Sequence, residues 1–108
     1  MPTEKADHRA FAARLEHRVF TEPADTRASL RQDMGQRAAG AAPIPEPYDD
    51  LARQIGEAAY RVTDAQIAAL RQAAGSDRAA FELLAAAAVG AALKRWKAGL
   101  AAIDEASA

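Results

Sequence analysis

The sequence predicts an all-α protein of about five helices, ending in a capped helical hairpin with a long alanine-rich C-terminal helix and assembling as an oligomer. Apolar residues recur at spacings of three and four, as on one face of a helix, and nothing alternates with the period of a strand. Clear start and stop signals separate the segments. Half of the residues are apolar, but most of these are alanine and only 6% of the chain is aromatic. Each buried position therefore contributes little area, and self-association would supply more.

A single helical domain is predicted over residues 1–108, because a chain of this length has room for one core and two would be crowded. Residues 1–40 are interpreted as N-terminal helices, residues 41–47 as a proline-rich connector and residues 48–108 as the helical core. Such a connector allows the N-terminal helices to pack on their own core or to reach across to a neighbouring chain.

The first helix is predicted from about Lys5 to Phe20, where Pro23 follows and prevents continuation. One face of this segment carries residues at spacings of three and four, namely His8, Phe11, Leu15 and Val19. A second helix is predicted from about Thr26 to Ala39. It is weaker, because it has few apolar residues and Gly35 costs about 1 kcal/mol relative to alanine.

The third helix is predicted from about Pro47 to Tyr60, after the alternating prolines of the connector. Asp49 and Asp50 are favourably placed at its positive N-terminal end. Its apolar face carries Tyr48, Leu51, Ile55 and Ala59.

The fourth helix begins with the strongest local signal in the chain, a capping box in which Thr63 and Gln66 satisfy each other's backbone amides. Gly75 suits the left-handed position just beyond the end of this helix. Ser76 then caps the last helix, which is predicted from Asp77 to about Asp104.

The last helix is apolar on every side from Leu84 to Leu93, which implies contacts on more than one face, and its small residues permit close helix approach. Farther on, a heptad-like seam indicates a subunit interface with Trp96 as its buried anchor. The predicted interface residues are Val89, Leu93, Trp96, Leu100 and Ile103.

Charge and cysteine content exclude several classes of function. The net charge of −1 gives no bias toward nucleic acid. The absence of cysteine excludes disulfides, thiolate metal sites and thiol redox chemistry. The charged N-terminus lacks the apolar core of a signal peptide, and the longest apolar run is too short for a membrane span, so we expect a cytoplasmic protein without membrane contact. No phosphate-loop, nucleophile-elbow, zinc or calcium motif occurs, so neither a cofactor nor a metal is expected.

The segment from Ala59 to Arg71, the turn at Gly75 and the segment from Phe81 to Gly90 resemble the helical pair of the alkylhydroperoxidase-D-like, or carboxymuconolactone decarboxylase, superfamily. The resemblance is confined to the C-terminal helical part. It implies an all-helical protein that oligomerises through helix packing. Peroxidase members carry a Cys-x-x-Cys motif, which is absent here, so thiol peroxidase activity is excluded and no catalytic residue is carried over.

Glu82 and His17 are the weak catalytic candidates. A carboxylate beside the small apolar residues around Glu82 can acquire a raised pKa and serve in proton transfer. The favoured interpretation is instead a rim glutamate paired with Arg78, four residues earlier. His8 lies nine residues before His17, so the two imidazoles face opposite sides of the first helix and do not share a metal within one chain.

Tyr60 is interpreted as an aromatic that closes the core at a helix end, with stacking on a ligand as the alternative. Trp96 lies between Arg95 and Lys97, which would suit an anion or a membrane surface, but it also continues the seam of the last helix. The seam explains the position of Trp96 better than anion or membrane binding does.

The leading hypothesis is a non-catalytic, oligomeric helical protein that acts as a structural subunit or as a companion to a catalytic partner. The first alternative is a cysteine-independent enzyme of the carboxymuconolactone decarboxylase type, in which Glu82 and His17 carry protons. The second is a small-ligand binding module with an inter-subunit pocket near Tyr60 and Phe81.

Overall fold

The computed structural model describes residues 4–107, in which helices are joined by turns and loops and no strand occurs. Five α-helices follow one another along the chain, with one short 3₁₀ turn between the third and the fourth. They are α1 (Glu4–Phe20), α2 (Ala28–Ala38), α3 (Tyr48–Ala58), the 3₁₀ turn (Ala59–Arg61), α4 (Asp64–Ala74) and α5 (Asp77–Ser107). The predicted all-α class, the five helices and the long C-terminal helix are confirmed for these residues, and assembly as an oligomer stays a prediction.

The predicted helix signals are present in the structure. Thr63 Oγ1 accepts a hydrogen bond from the Gln66 amide at 3.1 Å, and Gln66 Oε1 accepts from the Thr63 amide at 2.9 Å, which completes the capping box. Gly75 adopts φ +90°, the left-handed conformation that ends α4. Ser76 Oγ accepts from the Ala79 amide at 3.1 Å and caps α5. The hairpin is therefore defined by contacts within a few residues of each turn.

Helix α5 is the central element and contacts each of the other four α-helices. Its first half, residues 77–93, packs against the others in the core, and all of its buried residues lie there, between Ala79 and Leu93. Its second half, residues 94–107, runs antiparallel to α1: Arg9 pairs with Asp104 at 2.9 Å and Glu16 with Lys97 at 3.4 Å. The two halves of α5 thus lie in different surroundings.

The core is built mainly from α2, α3 and the first half of α5. Met34, Leu51 and Leu83 are its largest fully buried side chains, one from each helix. Small residues fill the space between them, namely Ala38, Ala52, Ala80, Ala86, Ala87 and Ala91, and Ile55 and Leu70 complete the cluster. Although α2 has the weakest apolar pattern, it is the principal packing partner of α5.

Glycines allow the backbones of α2, α3 and α5 to approach closely. A Cβ atom added at Gly90 would lie 2.4 Å from the Cα atom of Gly35, and one added at Gly56 would lie 2.0 Å from the carbonyl oxygen of Ala38. Both distances are far below van der Waals contact. The intrinsic cost of Gly35 in α2 is thus offset by the packing that it permits.

No helix in the described part of the chain is long and apolar enough to cross a membrane. Helix α5 has 31 residues, but lysine and arginine side chains follow its apolar stretch.

Candidate functional site

Two of the exposed large apolar side chains lie on one side of α5. Residues at helical spacing share one side of this helix, which we call the α5 face: Phe81, Ala85, Ala88, Ala92, Gly99 and Ile103. Phe81 is 68% exposed and Ile103 is 60% exposed. The small residues between them are exposed, except for the half-buried Ala85. The face is therefore a flat strip with one large apolar side chain at either end.

The predicted interface residues do not all lie on this exposed side. Leu93 is buried, and together with Val89 and the half-buried Trp96 it lines a cleft against Ala12 and Leu15 of α1. Leu100 is half-buried and lines another cleft along α1. Ile103 is exposed. Part of the predicted seam is thus covered by α1 of the same chain, and Ala92, although exposed, lines the same cleft. The role of the seam as an interface remains a prediction.

Glu82 holds the connection between α1 and α2 against α5. Its carboxylate accepts hydrogen bonds from the Thr26 amide at 2.8 Å, the Thr26 hydroxyl at 2.7 Å and the Asp25 amide at 3.1 Å. Arg78 Nε lies 3.6 Å from Glu82 Oε2, so the predicted pairing of these two side chains is confirmed.

The pKa of Glu82 is shifted in the direction opposite to the one that the proton-transfer alternative requires. Partial burial raises this pKa, but the hydrogen bonds from Thr26 and Asp25 and the charge of Arg31 together outweigh it and hold the pKa below its ordinary value of 4.5. A raised pKa was wrong, because the hydrogen-bond donors to Glu82 come from the α1–α2 connection. The small residues around Glu82 on α5 do not indicate that these donors are there. This carboxylate is a structural acceptor.

Arg31 anchors the same connection from inside the protein, and the sequence reasoning missed it. It is only 3% exposed. Its guanidinium donates to the Val19 carbonyl at 2.7 Å and also to the carbonyls of Glu22 and Thr26. One signal was available, since Arg31 lies on the same side of α2 as the buried Met34. Its hydrogen bonds go to helix-end and loop carbonyls, and its charge also favours the ionised form of Glu82.

A groove of about 630 Å³ lies between α1, α2 and α5. Its apolar lining includes Phe20, Gly35, Gly90 and Leu93, and polar groups that line it include His17, Gln32, Lys94 and Lys97. His17 Nδ1 lies 2.8 Å from the Thr21 hydroxyl at the end of α1. Glu82 does not line this groove, so the two weak catalytic candidates are not brought together there.

His8 lies on the opposite side of α1 from His17, as predicted, in the cleft beside Phe11 and Trp96. Tyr60 does not close the core: it is 84% exposed in the 3₁₀ turn, with the Arg61 guanidinium 5.7 Å from its ring centroid. The expectation failed because α3 ends at Ala58, two residues before Tyr60, which lies instead in the exposed 3₁₀ turn. Neither Tyr60 nor Phe81 lines the groove.

Within residues 4–107, no group of three histidine, aspartate or glutamate side chains is arranged to hold a metal ion. The chain matches no protein-family model, no curated protein and no solved structure. The resemblance to the alkylhydroperoxidase-D-like superfamily remains a prediction.

Proposed function

We propose that this is a non-catalytic helical protein that works by self-association, as a structural subunit or as a companion to a catalytic partner. The observation that carries the proposal is the α5 face. Phe81 and Ile103 expose large apolar side chains on one side of one helix, in line with exposed alanine and glycine. The exposed Arg95 lies between Ala92 and Gly99 along this face, whose other members are apolar. Apolar residues grouped in this way mark a contact surface more often than scattered exposed residues do.

The second half of α5 supports the same proposal. It runs along α1, and within the described residues none of its side chains is buried. Lys94 and Arg95 reach back to the carbonyls of Ala39 and Gly56, and beyond them the helix is joined to α1 through exposed ion pairs. Exposed ion pairs contribute at most about 1 kcal/mol each. A second copy packed on the face would add the apolar burial that this half lacks.

The acidic groups with shifted pKa values act in structural contacts. The amide of Ile44 and the Arg37 side chain lower the pKa of Asp49, and hydrogen bonds from Gln66 and Arg53 lower the pKa of Asp50. Like Glu82, both favour the ionised form, and neither lines the groove. These carboxylates stabilise the fold, which supports a non-catalytic role.

The proposal is tested by the molar mass in solution, measured by light scattering. We expect the unaltered protein to show a multiple of its 11.4 kDa chain mass. The variant Phe81→Asp/Ile103→Asp should fall to the single-chain mass, because aspartate on both ends of the face would have to be desolvated. Tyr60→Asp is the matched control, since it changes an exposed aromatic residue outside the face. A monomeric unaltered protein would contradict the proposal.

A second candidate function, binding of a small amphiphilic anion, is favoured by the groove. Its apolar lining suits a hydrocarbon chain, and Lys94 at its edge donates to the Ala39 carbonyl rather than to a carboxylate. Titration calorimetry with octanoate, and with neutral octanol as the control, tests it. We expect octanoate to bind more tightly and Lys94→Gln to remove the difference. Equal or undetectable binding of both would contradict this candidate.

A further inference from the structure

We propose that residues 4–16 of α1 form a strap across α5 that opens from its N-terminal end, while the last turn of α1 stays in place. Opening uncovers side chains of α5 that the strap crosses, among them Leu93 and Trp96. Such a strap acts within one chain, so it goes beyond the self-association proposed above. The two ends of α1 are held in place by different kinds of contact.

The C-terminal end of α1 is anchored by buried groups. Val19 and Phe20, in its last turn, pack against the hydrophobic core. The buried Arg31 donates a hydrogen bond to the Val19 carbonyl at 2.7 Å. Gln32 Nε2 donates to the Phe20 carbonyl at 2.9 Å. Moving this end would deprive the buried guanidinium of an acceptor, which is costly, so the last turn stays fixed.

The N-terminal part of α1 adds little to the core. Among residues 7–16 only Ala12 is buried, and it lies outside the core cluster. Leu15 is half-buried beside α5. Because alanine brings little apolar area, its burial stabilises the strap only weakly. The strap can therefore detach without disturbing the cluster around Met34 and Leu83.

Exposed ion pairs join the strap to the second half of α5. Arg9 pairs with Asp104 at 2.9 Å and Glu16 with Lys97 at 3.4 Å, and these side chains are between 41% and 57% exposed. Pairs this exposed contribute little to stability, and salt screens them. The buried anchor at Arg31 is screened much less. Ionic strength therefore sets how often the strap opens.

Open space lies beside the strap where it crosses α5. A cleft of about 280 Å³ is lined by Phe11, Leu15 and Trp96. Another, of about 370 Å³, is lined by Trp96 and Leu100. Atoms that border such space lack packing partners on one side, which weakens the contact between the helices. A helical segment as short as the strap is not stable alone in water, so the strap unfolds as it detaches.

Amide hydrogen exchange measures this opening along the chain. In about 20 mM sodium chloride, residues 7–16 should exchange up to about fivefold faster in Glu16→Gln than in the unaltered protein. Residues 28–38 of α2 should exchange at the same rate in both. Raising the salt to about 500 mM should remove the difference. The matched control is Arg71→Gln, which removes an exposed pair with Asp77 away from α1 and should leave residues 7–16 unchanged.

Thiol labelling gives a second measurement, because the chain has no cysteine of its own. Ala12→Cys places a thiol at the buried position of the strap, and a neutral maleimide should react with it faster as the salt concentration is raised. Ala52→Cys is the control in the core, where the alanine is fully buried. Labelling at this position should not respond to salt.

The strap and self-association are tested separately, because opening of the strap should not depend on protein concentration. Exchange of residues 7–16 that responds neither to salt nor to Glu16→Gln would overturn the strap. An equal acceleration of residues 7–16 and 28–38 would also overturn it, because the whole protein would then be unfolding. A response that changes with protein concentration would assign the effect to self-association and overturn the strap as well.

Discussion

Both halves of α5 contain alanine and a glycine but lie in different surroundings, and the difference shows what gives an alanine-rich helix its stability. In the first half, Leu83, Ala86 and Ala87 are fully buried. In the second half no described residue is buried, and α1 covers one side only. The first half packs against α2, where Gly35 lies opposite Gly90, so small side chains are enclosed. Gly99 in the second half has nothing near it.

Small side chains stabilise a helix only where a neighbouring backbone comes close enough to remove them from water. Within one chain, α2 does this for the first half of α5. A second copy would do so for the α5 face, which continues into the second half. The comparison therefore leads to experiments that change one half and use the other as the control.

The largest expected effect comes from truncating the core leucine. Leu83→Ala should destabilise the protein by about 2–5 kcal/mol, because it leaves a cavity at a fully buried site. Leu100→Ala, the matched change in the second half, should cost clearly less, since Leu100 is only half-buried. Denaturant unfolding of both variants measures the difference. Equal losses would show that the second half is packed as tightly as the first.

The next effect concerns the close crossing of α2 and α5. Gly90→Ala should destabilise by about 1–3 kcal/mol, since its methyl group would overlap the backbone of Gly35. Gly99→Ala should instead stabilise by about 0.5–1 kcal/mol, because the position is open and alanine is the better helix former. Thermal unfolding should move the two midpoints in opposite directions. A shift of the same sign for both would contradict the close crossing.

Glu82→Gln should destabilise the protein at neutral pH by about 1–2 kcal/mol, because a neutral amide replaces a charged acceptor of three hydrogen bonds. The folded-state pKa of Glu82 lies below 4.5, so its stabilisation is present above that pH and is lost as the pH falls through the lowered pKa. The variant should therefore lose less stability than the unaltered protein between pH 7 and pH 3. Glu105→Gln is the exposed control. Parallel pH profiles of stability for Glu82→Gln and the unaltered protein would contradict a stabilising role of the ionised Glu82.

The smallest effect is expected at the ion pairs of the second half. Lys97→Ala should cost at most about 0.5 kcal/mol, because Lys97 and Glu16 meet at 3.4 Å on an exposed surface. Unfolding in low and high salt checks this, and added salt should remove the difference. A loss of stability above 2 kcal/mol would show that the Lys97–Glu16 pair contributes more than an exposed ion pair does.

Local signals predicted the helical hairpin well. The capping box of Thr63 and Gln66 involves atoms three residues apart, and Gly75 ends α4 through its own backbone conformation, so both are readable without knowing the fold. The pairing of Glu82 with Arg78 was also local and was predicted.

The contacts around Glu82 and Arg31 could not be predicted from local sequence signals. Thr26 lies 56 residues before Glu82, and its donation to that carboxylate depends on which helices meet. The burial of Arg31 and the crossing of Gly35 with Gly90 depend on the same choice. The spacing of the predicted seam places its residues along one side of α5, but it does not reveal that α1 of the same chain covers part of that side.

Amide hydrogen exchange along α5, measured at a high and a low protein concentration, tests self-association through this helix most directly. We predict that residues 77–93 are protected at both concentrations, because their surroundings lie within one chain. Residues 94–107 should exchange slowly at the high concentration and much faster on dilution, as the second copy dissociates. Equal exchange of residues 94–107 at both concentrations, in a protein of single-chain mass, would contradict the account.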